Sequence, residues 1–296
     1  MAHSIQFLGS EAVTNYQNAK FVILPIPYEA TTTYRKGCET GPDAVLIASQ
    51  QLEAYDEELK REACLEEGIH TVDAIADTRV NPNITAQEML KLTTSRVNQL
   101  ITDGKYVIAI GGEHAITTGV VKAYHDFYQT PFTVVQIDAH GDMRYEFEGS
   151  LHNHACVMRR VIEMGLPTLP IAIRAICREE AELIEKKSIP VMWDREIAQD
   201  SNWIDKAISE IKTEKVFLTI DVDGLDPSLI PGVGTPEPGG LSWNTTLRFL
   251  SRLYESREVI GCDVMELAPI QDSVVSEFTT AKLIYKLIGY QALIGK

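Results

Sequence analysis

Apolar residues fall in short runs along this chain, and polar or helix-like stretches separate them at a fairly regular interval. Phe21 to Pro27 is the first run, rich in β-branched and apolar side chains, and it predicts a strand. A polar segment from Tyr28 to Gly41 follows. Gly41-Pro42 then opens a helical stretch to about Gln51, proline being suited to a first helical turn. Residues 51–67 are charged, lack a period and read as solvated, and His70 to Ala74 reads as a short strand. Thr85-Ala86-Gln87-Glu88 has the spacing of a capping box. It opens a helix whose Met89, Leu92, Val97, Leu100 and Ile101 mark the buried face and which Asp103-Gly104 ends.

From there the rhythm is regular. Strands are predicted at 106–110, 132–137, 168–173, 189–193, 215–220 and 259–265. Between them lie helices at about 114–128, from after Asn153 to Met164, and at 178–187, 202–212 and 244–254; a last helix runs from about Val275 to Leu293. A loop rich in proline and glycine fills 224–240. With no linker, internal repeat or low-complexity segment, residues 1–296 read as one domain. Strands alternating with helices imply parallel pairing through right-handed crossovers. Eight strands suit a closed β/α barrel or an open three-layer sandwich, and periodicity leaves both standing.

Three of the apolar runs end in the same kind of chemistry. Val134 to Ile137 leads into Asp138-Ala139-His140-Gly141-Asp142, which places Asp138, His140 and Asp142 on one face of an extended chain. The run 106–110 ends in Gly111-Gly112-Glu113-His114, and the run 216–220 in Asp221-Val222-Asp223. Any one of these could be a solvated strand end. Together His114, Asp138, His140, Asp142, Asp221 and Asp223 put four carboxylates and two imidazoles at strand carboxyl ends, where open parallel sheets bind ligands. Such groups are costly to bury together unless a cation compensates them. That donor set exceeds the needs of one ion and suits two that share carboxylates, the standard device for activating a water.

Composition narrows the partners. Lys and Arg number 27 against 42 Asp and Glu, a formal charge of −15, which argues against nucleic acid or an anionic membrane surface and permits a cationic substrate. No opening segment reads as a signal peptide and no apolar run approaches a membrane span. The five cysteines are odd in number, scattered and without a CxxC, so they read as reduced thiols of a cytoplasmic protein. Gly232-Val233-Gly234 opens no helix and is not a dinucleotide fingerprint. Arg174 reads as structural, and Arg159 and Arg160 as makers of salt bridges.

The three strand-end motifs, with Asp226-Pro227, Pro231-Gly232 and Pro238-Gly239-Gly240 after the third, resemble the ureohydrolase family of arginases, agmatinases and their relatives. The likeness covers nearly all of the chain after Phe21. Glu148-Gly149-Ser150 with His154-Ala155-Cys156-Val157-Met158-Arg159-Arg160 is similar to the agmatinase-type branch. The resemblance implies an open α/β/α sandwich on a mainly parallel eight-stranded sheet, two Mn²⁺ ions (Ni²⁺ or another divalent metal being the alternative) and a trimer or hexamer. It places one ion on His114, Asp138, Asp142 and Asp221, and the other on Asp138, His140, Asp221 and Asp223. Asp142 would also relay a proton, His154 would shuttle protons with solvent near its ordinary pKa, and Glu266 would pair with a substrate guanidinium.

The implied reaction is hydrolysis of a small guanidino compound to urea and an amine, with agmatine to putrescine first. Guanidinobutyrase, arginase and guanidine hydrolase are alternatives. A zinc amide deacetylase of related fold and a non-catalytic relative stand further off. Asn153, Gly141 and the stretch Gln271 to Val275 depart from common family spellings and bear on the substrate tail, for which Asn153 and Arg144 could serve as carboxylate donors.

Overall fold

The computed structural model describes residues 5–9, 12 and 14–293. Eight strands among them form one sheet: β1 (Phe21–Ile26), β2 (Ile69–Thr71), β3 (Tyr106–Gly111), β4 (Thr133–Ile137), β5 (Thr168–Ile173), β6 (Met192–Trp193), β7 (Lys215–Asp221) and β8 (Glu258–Met265). Their order is β2-β1-β3-β8-β7-β4-β5-β6, and every pairing is parallel. Central strands are buried along their whole length, as β1 and β3 are, because both sheet faces are covered. The open sandwich is therefore the architecture, and the barrel is excluded.

Alternation along each strand separates two cores. Phe21, Ile23, Ile108, Ile110, Leu218 and Ile220 face one layer, which holds α1 (Gly41–Ser49), α8 (Trp203–Glu210), α9 (Trp243–Ser256) and α10 (Val275–Leu293). Val22, Leu24, Val107, Ala109 and Phe217 face the other, with α3 (Ala86–Thr102), α4 (Thr117–Tyr128) and α5 (Val157–Glu163). The chain lays down β1 to β3, skips outward to β4, β5 and β6, and returns through β7 and β8 to fill the gap. That return brings the carboxyl ends of β3, β8, β7 and β4 together at the centre of the sheet. Among the described residues, no helix is long and apolar enough to cross a membrane.

The capping box forms as read: Thr85 accepts from Glu88 N–H, and Glu88 accepts from Thr85 N–H. Three expectations need correction, and one element is new. Leu92 is exposed, and Thr93 takes the buried place on α3, because the stripe Met89, Thr93, Val97 and Leu100 follows the helical period and Leu92 lies off it. The strand expected at 189–193 shrinks to Met192–Trp193: Ile189 N–H turns back to Ile184 and Pro190 has no N–H to offer a ladder. The stretch 51–67 is not merely solvated, since it contains α2 (Ala63–Glu67) and a buried Asp56. A short helix α7 (Asp194–Ile197), unforeseen in the sequence, fills the β6–α8 connection, while α6 (Arg178–Lys187) spans its expected range.

Asp56 shows what that stretch does. Lys286, on α10 and 1% exposed, donates from Nζ to Asp56 Oδ1 at 2.8 Å and Glu58 Oε2 at 3.0 Å. Burial works against both charges, and their mutual hydrogen bond offsets it, holding the Asp56 carboxyl below and the Lys286 ammonium above their ordinary ranges. Lys286→Met would strand Asp56 without a cation. It is expected to lower unfolding free energy by about 3–5 kcal/mol, read as a fall in the urea midpoint, with Asp56→Leu/Lys286→Met losing far less. Equal losses in the single and double variants would show that the pair is not what matters there.

Candidate metal centre

The carboxyl end of β4 supplies Asp138, from which the chain turns through His140 to Asp142. Asp138 Oδ1 accepts the His140 N–H at 2.6 Å, and its Oδ2 accepts Gln136 Nε2 at 2.8 Å. At the end of β7, Asp221 caps a single 3₁₀ turn by accepting the Asp223 N–H at 2.9 Å, while Asp223 accepts Ala139 N–H at 3.0 Å. These bonds lock the β4 and β7 ends to each other. Gly224 is needed beside them, because a Cβ there would lie 2.6 Å from Asp138 N. His114 begins the 3₁₀ turn after β3, and Glu266 follows β8.

These side chains converge. His114 Nδ1 lies 3.1 Å from Asp138 Oδ2, 3.1 Å from Asp142 Oδ2 and 3.6 Å from Asp221 Oδ2. His140 Nδ1 lies 3.0 Å from Asp223 Oδ2 and 3.6 Å from Asp138 Oδ1. Two groups of donors have atoms within 4.8 Å of one another: His114, Asp138 and Asp221, and Asp138, His140 and Asp223. Asp138 belongs to both. Asp142, the sixth of the expected set, adjoins the first group through its 3.1 Å approach to His114, so all six side chains meet at one place. Such a crowd of buried acids, with no Lys or Arg among them, is the donor chemistry of divalent cations, so the residues fit a two-ion centre.

Electrostatics points the same way. Burial, and then the charge of Asp138, pushes the Asp142 carboxyl up to about 7. Burial, Asp223 and Asp138 push Asp221 well above the ordinary range. Glu266 is also raised, chiefly by burial. His154 moves the other way, to about 4, through burial and then the neighbouring imidazoles, so its ring is neutral at neutral pH rather than poised near its ordinary value. Asp142 and Glu266 both adopt left-handed backbone, with φ of 51° and 68°. Strain of this kind in non-glycine residues persists where the surroundings over-determine it, and it gathers at functional sites.

A cavity of about 250 Å³ opens onto the cluster. His140, Asp142, His154, Asp221, Asp223 and Glu266 line it, and Arg144, Phe147, Ile176, Cys177 and Glu180 continue the wall outward. His154 begins a 3₁₀ turn, with Nδ1 3.8 Å from Glu266 Oε1 and Nε2 without a protein partner. Arg144 reaches the cavity stacked 4.5 Å over the Phe147 ring. Asn153 does not: it is buried, caps the turn by accepting Ala155 N–H at 2.9 Å, and donates to Thr31 O. It is therefore spent on the backbone and is withdrawn as a carboxylate donor. Arg174 is held by the carbonyls of Ala172, Asp223 and Glu237, and Arg159 and Arg160 pair with Glu163, matching their structural readings.

The groups behind the candidate ligands carry no motif of their own in the sequence. His114 Nε2 lies 2.9 Å from Thr219 Oγ1, and Asp263, fully buried, pairs with Thr219 across β7 and β8. Gln136 stands in the same relation to Asp138. The signal was available as single polar residues inside otherwise apolar runs, two positions before a strand-end acid in the case of Gln136 and Thr219. Glu113 was read only as part of its turn, yet it is completely buried.

Residues 19–289 match the arginase family. An N(1)-aminopropylagmatine ureohydrolase from Synechocystis is 63% identical, over 96% of this chain and 93% of its own. An agmatinase from Pyrococcus horikoshii is 32% identical, over 93% of each. Among solved structures, agmatine ureohydrolase of Thermoplasma volcanium is similar with a TM-score of 0.83 at 31% identity, covering 97% of this chain and 94% of that one.

Proposed function

The chain belongs to the arginase family as an agmatinase-like ureohydrolase, and from that premise we propose that it hydrolyses N(1)-aminopropylagmatine to urea and spermidine. Agmatine, giving urea and putrescine, is the second substrate. The observation that carries the reading is the meeting of four Asp carboxylates and two imidazoles in one buried cluster, whose His140, Asp142, Asp221 and Asp223 share a cavity wall with Glu266.

His114, Asp138, Asp142 and Asp221 would hold one Mn²⁺ and Asp138, His140, Asp221 and Asp223 the other, with Ni²⁺ as the alternative metal. When bound, two such ions lower the pKa of a water into the neutral range. A guanidinium is planar, delocalised and a poor electrophile, so orientation matters as much as nucleophilicity. Glu266 Oε1 already accepts the His114 N–H at 2.7 Å, which leaves Oε2 to pair with the guanidinium and hold its carbon in the attack line. Asp142 takes a proton from the attacking water and delivers it to the departing nitrogen. The oxygen adds to the guanidinium carbon and the C–N bond to the tail then breaks; both protons of the water end on the tail nitrogen, so the guanidinium and one water become urea and one ammonium. His154 Nε2, free of protein partners and neutral, passes protons between the cavity and solvent.

The longer tail is favoured by the 63% relative and by a cavity wall that runs on past the metal end to Phe147, Ile176 and Glu180. The test is urea release with N(1)-aminopropylagmatine, agmatine, arginine, guanidinobutyrate, guanidinopropionate and guanidine. The expected kcat/KM for N(1)-aminopropylagmatine exceeds that for agmatine by about tenfold or more, a discrimination of roughly 1.4 kcal/mol. Agmatine equal or ahead would make the second substrate the first. A carboxylated substrate ahead of both would turn Arg144 into an anion-binding residue and overturn the reading of the tail.

A further inference from the structure

The proposed shuttle, His154, stands on a turn remote in sequence from the strand ends, and something must hold it opposite Glu266. We infer that Glu113 and Thr31 are positioning residues that brace the His154 turn against the metal-centre strands; the inference rests on the proposed role of His154. Glu113 is fully buried between β3 and His114, and its carboxylate accepts three hydrogen bonds. The Ala30 N–H donates to Oε2 at 2.7 Å, the Thr31 N–H to the same oxygen at 2.6 Å, and the Thr31 hydroxyl to Oε1 at 2.6 Å. That hydroxyl then accepts the His154 N–H at 2.9 Å, and Thr31 O accepts Asn153 Nδ2 at 3.3 Å. Donating one way and accepting the other fixes the rotor of Thr31, so the two bonds form a directed strut from Glu113 to His154.

The same turn sets the other partner. Gly112 O accepts the Glu266 N–H at 2.8 Å, and the His114 N–H donates to Glu266 Oε1. Glu266 and His154 are thereby referred to one three-residue frame, Gly112-Glu113-His114, from opposite sides. Gly112 allows this, since a Cβ there would lie 2.1 Å from Tyr28 O, in the loop that Glu113 grips. A shorter or neutral side chain at 113 could not take three donors at that reach. Nor is the loop slack beyond Thr31: Glu29 accepts from Thr32 and from the N–H groups of Gly37 and Glu39, and Arg35 donates to the carbonyls of Val233, Ala268 and Pro269. Among the described residues, Thr31 is thus the point where the anchored loop hydrogen-bonds the His154 turn.

Thr31→Val removes both hydroxyl bonds at nearly constant shape, and Thr31→Ser restores them. The experiment measures kcat, KM and metal content of these variants alone and with His154→Asn, together with amide hydrogen exchange over 153–157. Thr31→Val is expected to lower kcat about tenfold or more, with KM within about threefold and metal content unchanged, and Thr31→Ser is expected to recover most of it. In the His154→Asn background Thr31→Val should add little, as two changes in one network do. Exchange at His154 should speed up in Thr31→Val. Unchanged kcat in Thr31→Val, or a full additive loss in the double variant, overturns the brace while leaving the reaction standing. Urea silence from the wild type would sink the reaction; faster exchange in Thr31→Val would then still support the brace, and unchanged exchange would overturn it.

Discussion

Asp221→Asn is expected to purify with fewer than two cations per chain and to release urea about 10³-fold more slowly than the wild type, roughly 4 kcal/mol of barrier. Asp221 reaches to 3.6 Å from His114 Nδ1 and accepts the Asp223 N–H, so it ties the two donor groups together. An amide offers one neutral oxygen where the centre needs a charged pair. Stability separates this outcome from simple misfolding. In the metal-free protein the Asp221 charge is opposed by burial, by Asp223 and by Asp138, so its removal should leave the metal-free melting temperature equal or higher. The benefit of added Mn²⁺ to the melting temperature should shrink in the same variant, because binding stabilises only to the extent that the site still binds. Asp138→Asn should lose cations and activity alike, but its metal-free melting temperature should fall, because the His114 and His140 rings hold the Asp138 carboxyl below its ordinary range against the cost of burial. A variant that keeps two tightly held cations would contradict the assignment of these acids.

Glu266→Gln is expected to reduce kcat/KM by about 10- to 100-fold, the worth of roughly 1.5–3 kcal/mol for a hydrogen bond to a charged group. The amide oxygen can still accept the His114 N–H, and the backbone bond from Glu266 N–H to Gly112 O is untouched. Fold and metal content should therefore survive, and only the charge opposite the guanidinium is lost. Metal analysis and a thermal melt check the first statement, and steady-state kinetics the second. Unaltered kcat/KM would remove Glu266 from substrate recognition.

The candidate metal centre is legible in the chain because its acids and imidazoles crowd into three motifs, each at the end of an apolar run, which the fold brings together. Period two along an extended chain predicts Asp138, His140 and Asp142 on one face, but β4 ends at Ile137 and Asp142 lies in left-handed backbone, so these donors converge through a turn and not through strand alternation. The sheet order was a different matter. β3 and β4 follow each other in the chain but stand apart, with β8 and β7 between them. Nothing in the local pattern of either strand records that gap, and the choice of an open sandwich over a barrel came from family resemblance. Glu266 and His154 came the same way, one being a lone acid after a strand and the other one of two histidines in a loop.

What stayed hidden depends on contacts made far along the chain. Asp56 and Lys286 look like two solvated charges until a helix 230 residues away covers the first with the second. Glu113 looks like a turn residue until Thr31, 82 residues earlier, meets it. Leu92 was misplaced for a local reason, an apolar residue on the wrong side of an otherwise sound helical stripe. Asn153 was misread because an amide before a histidine can serve a ligand or a backbone turn, and only the bond to Ala155 decides it.

The most direct test of a two-cation urea-forming centre is a titration of the metal-free chain with Mn²⁺, following bound metal and urea release from N(1)-aminopropylagmatine together. Activity should rise until about two ions are bound per chain and level off there. Full activity at one ion per chain, or binding of two ions with no urea from any guanidino compound tested, would contradict it.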